Sequence, residues 1–127
     1  MLKLALIAGA GAVGAVLRYL VAGWVQQGAS GSFPVGTLSV NVLGCMVIGL
    51  LGAVFAGPVL VREEYRLAVM VGLLGGFTTF SSFGFETMAL LNEGQVRLAI
   101  VNVVASNGLG LVAVWIGYRL GERIYGA

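Results

Sequence analysis

The segment GLLGGFTTFSSFGFE, from Gly72 to Glu86, decides the fold of this chain. It lies inside a long apolar stretch, yet it combines the adjacent glycines Gly75 and Gly76 with a run of threonine and serine hydroxyls. Both features weaken an α-helix. The segment predicts a helix that is broken part-way along, which would free backbone groups that need other partners. The alternative is a helix kinked for packing, with its hydroxyls bonded to carbonyls one turn earlier.

Composition places this segment in a lipid bilayer. Of the 127 residues, 59% are hydrophobic and only 9% are charged, whereas a soluble domain carries about 25% charged residues. A membrane helix needs about 20 mainly apolar residues, and the chain holds four such stretches. We expect one all-α domain over residues 1–127, with membrane helices at about 4–25, 35–57, 67–91 and 98–118. Both termini then lie on one side of the membrane.

The charged and reactive residues exclude several classes of protein. The chain has one cysteine, Cys45, and no histidine, so neither an internal disulfide nor a Cys/His metal site can form. No histidine triad is available, and we expect neither an enzyme nor an organic cofactor. The net charge of +2 comes from basic residues near segment ends, which is ordinary for a multi-pass protein of the cytoplasmic (inner) membrane and predicts no nucleic-acid partner. Residues 62–66 are interpreted as a compact charged loop.

Polar side chains recur within the apolar segments. Thr37 and Asn41 share one face of the second helix, and Asn102 and Ser106 share one face of the fourth. Hydroxyl and amide groups with few charges can replace the water around a small ion without trapping it. The alternative is that these groups only join neighbouring helices.

Two aromatic and two charged residues complete the candidate site. Phe80 and Phe83 are three residues apart, so their rings point in similar directions on a helix. The positive edge of a phenyl ring could help a partly dehydrated anion, although plain apolar packing is the alternative. Arg18 and Glu86 are the charges expected deepest in the membrane. We expect a structural or gating role for both residues, and Glu86 in particular stays off the anion site because a carboxylate repels anions.

Three stretches together resemble the Fluc (CrcB-type) family of fluoride channels: GAVGAVLRY at 11–19, FPVGTLSVNVLG at 33–44, and GGFTTFSSF at 75–83, followed by Glu86. The resemblance covers nearly the whole chain. It implies a third helix broken at mid-membrane and a dual-topology homodimer of two antiparallel copies. It also implies a fluoride-selective channel that passively exports fluoride across the cytoplasmic membrane.

The resemblance also assigns residues. It implies a structural sodium ion at the dimer centre, held by the main-chain carbonyls of Gly75 and Thr78. Arg18 matches the first-helix arginine of the family. Asn102 departs from the family's usual tyrosine, serine or threonine, and Gly110 replaces a serine. The implied fluoride pathway consists of Thr37, Asn41, Thr79, Phe80, Ser81, Ser82, Phe83, Asn102 and Ser106.

Two other functions are compatible with four short membrane helices. A small proton-coupled multidrug transporter needs a carboxylate inside the membrane, and Glu86 is the one candidate. A non-transporting subunit of a larger membrane complex would need no such group. The clustered hydroxyls around the predicted break argue against that second alternative.

Overall fold

The computed structural model describes residues 1–124, and all of their regular structure is helical. Within this range, four helical stretches are long and apolar enough to cross a membrane. This confirms the prediction of an all-α, multi-pass membrane protein. The elements are α1 (Leu2–Gln27), α2 (Val35–Ala56), α3 (Glu63–Leu67), a π-helical segment (Ala68–Leu73), α4 (Leu74–Phe77), α5 (Phe80–Asn92) and α6 (Val96–Ile124).

The charged stretch before the third span is helical, so the prediction of a loop at residues 62–66 is wrong. Arg62 precedes α3, whose first turn contains Glu63 and Glu64 and whose last turn contains Arg66. Acidic residues at the start of a helix and basic residues at its end both interact favourably with the helix dipole. This charge order explains why the stretch forms a helical turn.

The third span is interrupted at Thr78 and Thr79. Thr78 has φ −93° and ψ 158°, and Thr79 has φ −151° and ψ 118°, so both residues are extended. Gly75 and Gly76 remain inside α4, which puts the interruption just after the glycines. The Thr79 hydroxyl accepts a hydrogen bond from the Ser82 amide and caps α5. Threonine is a favourable residue at this capping position, which helps to explain why the chain restarts its helix there.

Helices α2 and α6 run parallel and approach closely through glycines. A Cβ atom at Gly49 would overlap the Val114 carbonyl, and one at Gly117 would overlap the Met46 carbonyl. Gly14 of α1 meets the Leu73 carbonyl in the same way. Small residues permit such close approach of membrane helices. The spans therefore form two tightly packed pairs, α1 with the third span and α2 with α6.

Polar contacts mark the two ends of the helix bundle. At one end, Lys3 lies 3.3 Å from the Glu63 carboxylate and joins the starts of α1 and α3. At the other end, the Ser32 hydroxyl donates to the Gln95 side chain and joins the two connecting loops. The Gln26 side chain also holds the start of α2, since its Oε1 accepts from the Gly36 amide at 2.9 Å.

Candidate functional site

Asn41 connects α2 to the interruption in the third span. Its Nδ2 donates to the Thr79 carbonyl at 2.9 Å, and its Oδ1 accepts from the Thr79 amide at 2.7 Å. The side chain thus satisfies both backbone groups of one extended residue. An unpaired backbone group inside a membrane costs several kcal/mol, so this pair of bonds helps to stabilise non-helical backbone at this position.

The same contacts leave two carbonyls without their usual helical donors. In an uninterrupted helix the Thr79 amide would donate to the Gly75 carbonyl, but it donates to Asn41 instead. Likewise, the Ser82 amide would donate to the Thr78 carbonyl, but it donates to the Thr79 hydroxyl at 3.1 Å. Gly75 and Thr78 are the two residues whose carbonyls the family resemblance assigns to a cation.

One cavity of about 320 Å³ lies beside the interruption and contains the two phenylalanines. We call it the phenylalanine cavity. The ring centroids of Phe80 and Phe83 are 5.4 Å apart, and the rings are tilted by 34°. Phe80 is 75% exposed in the single chain. The cavity is lined by Asn41, Gly44, Cys45, Ile48, Met70, Leu74, Gly75, Thr78, Thr79, Phe80, Phe83, Ser106 and Asn107.

A second cavity, of about 440 Å³, contains both of the deeply placed charges, and we call it the arginine cavity. Arg18 Nε donates to the Gly76 carbonyl at 3.0 Å and so anchors its guanidinium to the end of α4. The Thr37 hydroxyl donates to Glu86 Oε1 at 2.6 Å. The cavity is lined by Arg18, Tyr19, Ala22, Gly23, Gln26, Gly31, Ser32, Pro34, Thr37, Thr79, Ser82, Glu86, Ala89, Leu90 and Glu93.

The structure brings most of the predicted site residues to these two cavities. Thr79 lines both of them. Ser81 lines neither cavity; it is exposed and lies 3.3 Å from the Thr79 hydroxyl, oxygen to oxygen. Asn102 also lines neither cavity, and it is only 2% exposed. Cys45 lines the phenylalanine cavity as a free thiol.

Sequence reasoning did not single out Thr87, which lies one turn after Phe83 in α5. Its hydroxyl donates to the Phe83 carbonyl at 2.7 Å and accepts from Asn102 Nδ2 at 2.9 Å. One feature of the sequence could have pointed to Thr87: it follows Phe83 by four residues, a spacing at which a threonine hydroxyl can bond to the earlier carbonyl.

Comparison with known proteins identifies the family. The family model described as CrcB-like protein, camphor resistance (CrcB), matches residues 5–118. This chain belongs to the CrcB-like family. A relative from Parabacteroides distasonis, named fluoride-specific ion channel FluC, is 44% identical over 98% of this chain and 96% of its own length. The protein of the same name from Geobacter sulfurreducens is 48% identical over 90% of this chain and 92% of its own length.

A third relative strengthens the assignment of this CrcB-like chain. The fluoride-specific ion channel FluC of Geobacter metallireducens is 44% identical over 98% of this chain and its own full length. These relatives are named as channels and not as enzymes, in agreement with the expectation from sequence. They do not favour the multidrug-transporter alternative.

Proposed function

We propose that this CrcB-like chain is a fluoride-selective channel that passively exports fluoride across the cytoplasmic membrane. The observation that carries the proposal is the clustering of pathway candidates in two cavities that share Thr79. The extensive similarity to relatives named fluoride-specific ion channels supports the choice of ion. Under this proposal, an anion passes between the two cavities beside the interruption.

The lining chemistry suits a small anion that gives up part of its water. Asn41 Nδ2 carries two hydrogens, and the contact with the Thr79 carbonyl uses one of them, so the other is available to an anion. The edges of the Phe80 and Phe83 rings supply weak positive potential. Arg18 supplies a fixed positive charge in the arginine cavity. Several weak donors allow an ion to enter and also to leave.

A second copy of the chain would complete the pathway. Phe80 is 75% exposed although it lies at the start of α5 and lines a cavity. Four helices with closely packed backbones enclose little space of their own. We infer a homodimer in which the second, antiparallel copy covers this open face.

The residues at the interruption fit a structural sodium ion. Within residues 1–124, no group of three or more His, Cys, Asp or Glu could hold a metal ion. The carbonyls of Gly75 and Thr78 have lost their helical donors, and hard oxygen ligands suit a hard cation. When bound, the ion would supply fixed positive charge between two copies. Asn41 and the Thr79 hydroxyl hold the backbone in the shape that presents these carbonyls.

Glu86 takes a structural or gating role under this proposal. Its carboxylate would repel an anion in the arginine cavity, and the Thr37 hydroxyl binds one of its oxygens. The contact ties α5 to α2 beside the arginine cavity, which Thr37 and Glu86 both line. A change in this contact would alter the width of the arginine cavity.

Purified protein in liposomes tests the function directly. With a fluoride gradient and a matched chloride gradient, we expect fluoride flux and no chloride flux above that of empty liposomes. Phe80→Ile should lower the fluoride flux about fivefold, since it removes an aromatic edge worth about 1 kcal/mol to the anion. Phe85→Ile is the matched control, because Phe85 lies on the same helix, is 78% exposed and lines neither cavity. Fluoride flux no greater than that of empty liposomes would exclude the proposal.

A further inference from the structure

Three polar side chains form a continuous hydrogen-bonded series between α6 and α5. Ser106 lies 3.2 Å from Asn102 Oδ1, Asn102 Nδ2 donates to Thr87 at 2.9 Å, and Thr87 donates to the Phe83 carbonyl at 2.7 Å. The series begins in the phenylalanine cavity at Ser106 and ends on the backbone of Phe83, whose ring lines the same cavity.

The chemistry of the groups determines the direction of every bond in this series. Thr87 has one hydroxyl hydrogen, and that hydrogen goes to the Phe83 carbonyl, so its oxygen must accept from Asn102. The Asn102 amide is therefore oriented with its nitrogen towards Thr87 and its oxygen towards Ser106. Ser106 must then donate to Asn102.

Because Asn102 is buried, the loss of either of its hydrogen bonds in this series would be costly. Asn102 is 2% exposed and is the one buried polar residue in the described part of the chain. A buried amide that loses a partner carries the full cost of its desolvation. Helix α6 packs mainly along α2 and makes few contacts with α5. The series is thus a principal polar connection that holds the Phe83 turn of α5 in place against α6.

We propose that Thr87 and Asn102 are positioning residues that set the location of the Phe83 ring in the ion pathway. This inference rests on the proposed function. Under this proposal Asn102 acts from outside the pathway, since it lines neither cavity. It acts through Thr87, and Thr87 acts through the carbonyl of Phe83. The Ser106 hydroxyl is the end of the series that meets the cavity.

The pair Thr87→Val and Thr87→Ser provides the test. Valine keeps the shape of threonine without the hydroxyl, whereas serine keeps the hydroxyl and loses a methyl group. In liposomes, with flux expressed per folded protein, we expect Thr87→Val to lower fluoride flux about tenfold, the effect of leaving one buried donor without its partner. Thr87→Ser should stay within about twofold of the unaltered protein.

A spectroscopic measurement separates positioning from general destabilisation. 4-Fluorophenylalanine placed at position 83 reports the surroundings of that ring by ¹⁹F NMR. We expect its resonance to move in Thr87→Val and to remain in place in Thr87→Ser. Equal flux in Thr87→Val and the unaltered protein, equal losses in the two variants, or an unmoved resonance in Thr87→Val would each overturn the proposal. Absence of fluoride flux in the unaltered protein would instead overturn the proposed function, and the resonance would still decide whether Thr87 positions Phe83.

Discussion

Asn41 and Thr79 exchange two hydrogen bonds of opposite direction, one of 2.9 Å from the side-chain amide and one of 2.7 Å from the backbone amide. A single side chain from α2 thereby replaces the intrahelical acceptor that the Thr79 amide would have in a continuous helix. The same exchange deprives the Gly75 carbonyl of its donor. The interruption in the third span is therefore a property of two helices and not of the third span alone.

Replacing Asn41 should destabilise the interruption. In Asn41→Leu both bonds to Thr79 are lost, and we expect the free energy of unfolding to fall by about 1–3 kcal/mol, since the Thr79 amide then lacks a partner. Thermal unfolding in detergent measures this loss. Asn107→Leu is the matched control, because the Asn107 amide donates only within its own helix, to the Val103 carbonyl at 2.7 Å. Equal stability losses in the two variants would contradict the role of Asn41.

Arg18 should not be replaceable by lysine. Arg18 Nε donates to the Gly76 carbonyl at 3.0 Å, and lysine has no donor at that position on its side chain. We expect Arg18→Lys to lower fluoride flux about tenfold although the positive charge is kept, since a charged hydrogen bond is worth about 1.5–3 kcal/mol. Liposome flux measures the effect. Full flux in Arg18→Lys would mean that the charge alone is required.

Two glycines of α2 should respond differently to substitution by alanine. A Cβ atom at Gly49 would overlap the Val114 carbonyl, whereas nothing lies within 4 Å of a Cβ atom at Gly52. We expect Gly49→Ala to lower the free energy of unfolding by about 1–3 kcal/mol through overpacking. Gly52→Ala should leave it unchanged or raise it by about 0.4–1 kcal/mol, because alanine restricts the unfolded chain. Chemical denaturation in mixed micelles compares the two variants, and equal effects would argue against close α2–α6 packing.

Labelling can detect the orientation of the two copies. Ser30 lies in the exposed loop between α1 and α2. In a Cys45→Ser background, Ser30→Cys provides a single site for a membrane-impermeant maleimide. If the copies are antiparallel, we expect about half of the molecules to be labelled from each side of the membrane. The reason is that the loops of the two copies then face opposite compartments. A charge bias towards one orientation would shift this ratio. Labelling from one side only would exclude an antiparallel pair.

The sequence was informative about the membrane spans because their apolar length alone identifies them. It was less informative at residues 62–66, where charge suggested a loop and the structure has the helix α3. It placed the weak part of the third span between Gly75 and Phe83, and within that range the interruption falls at Thr78 and Thr79 while Gly75 and Gly76 stay helical. Helix propensity is a weak local preference that tertiary contacts override.

The two members of the predicted α6 pair, Asn102 and Ser106, show why the details of the site need the tertiary structure. Both lie on one face of α6, and their spacing predicts a shared polar stripe. Only the packing of α5 against α6 determines that Ser106 reaches a cavity while Asn102 is buried against Thr87.

Composition and spacing alone determined that this chain crosses the membrane four times, because burying an apolar helix in lipid depends on length and hydrophobicity and on little else. The family followed from the motifs at 11–19, 33–44 and 75–83. The tertiary structure alone decided how the backbone groups at the interruption are paired, because Asn41 and Arg18 reach them from other helices. A hydrogen bond between residues 38 positions apart leaves no local trace in the sequence.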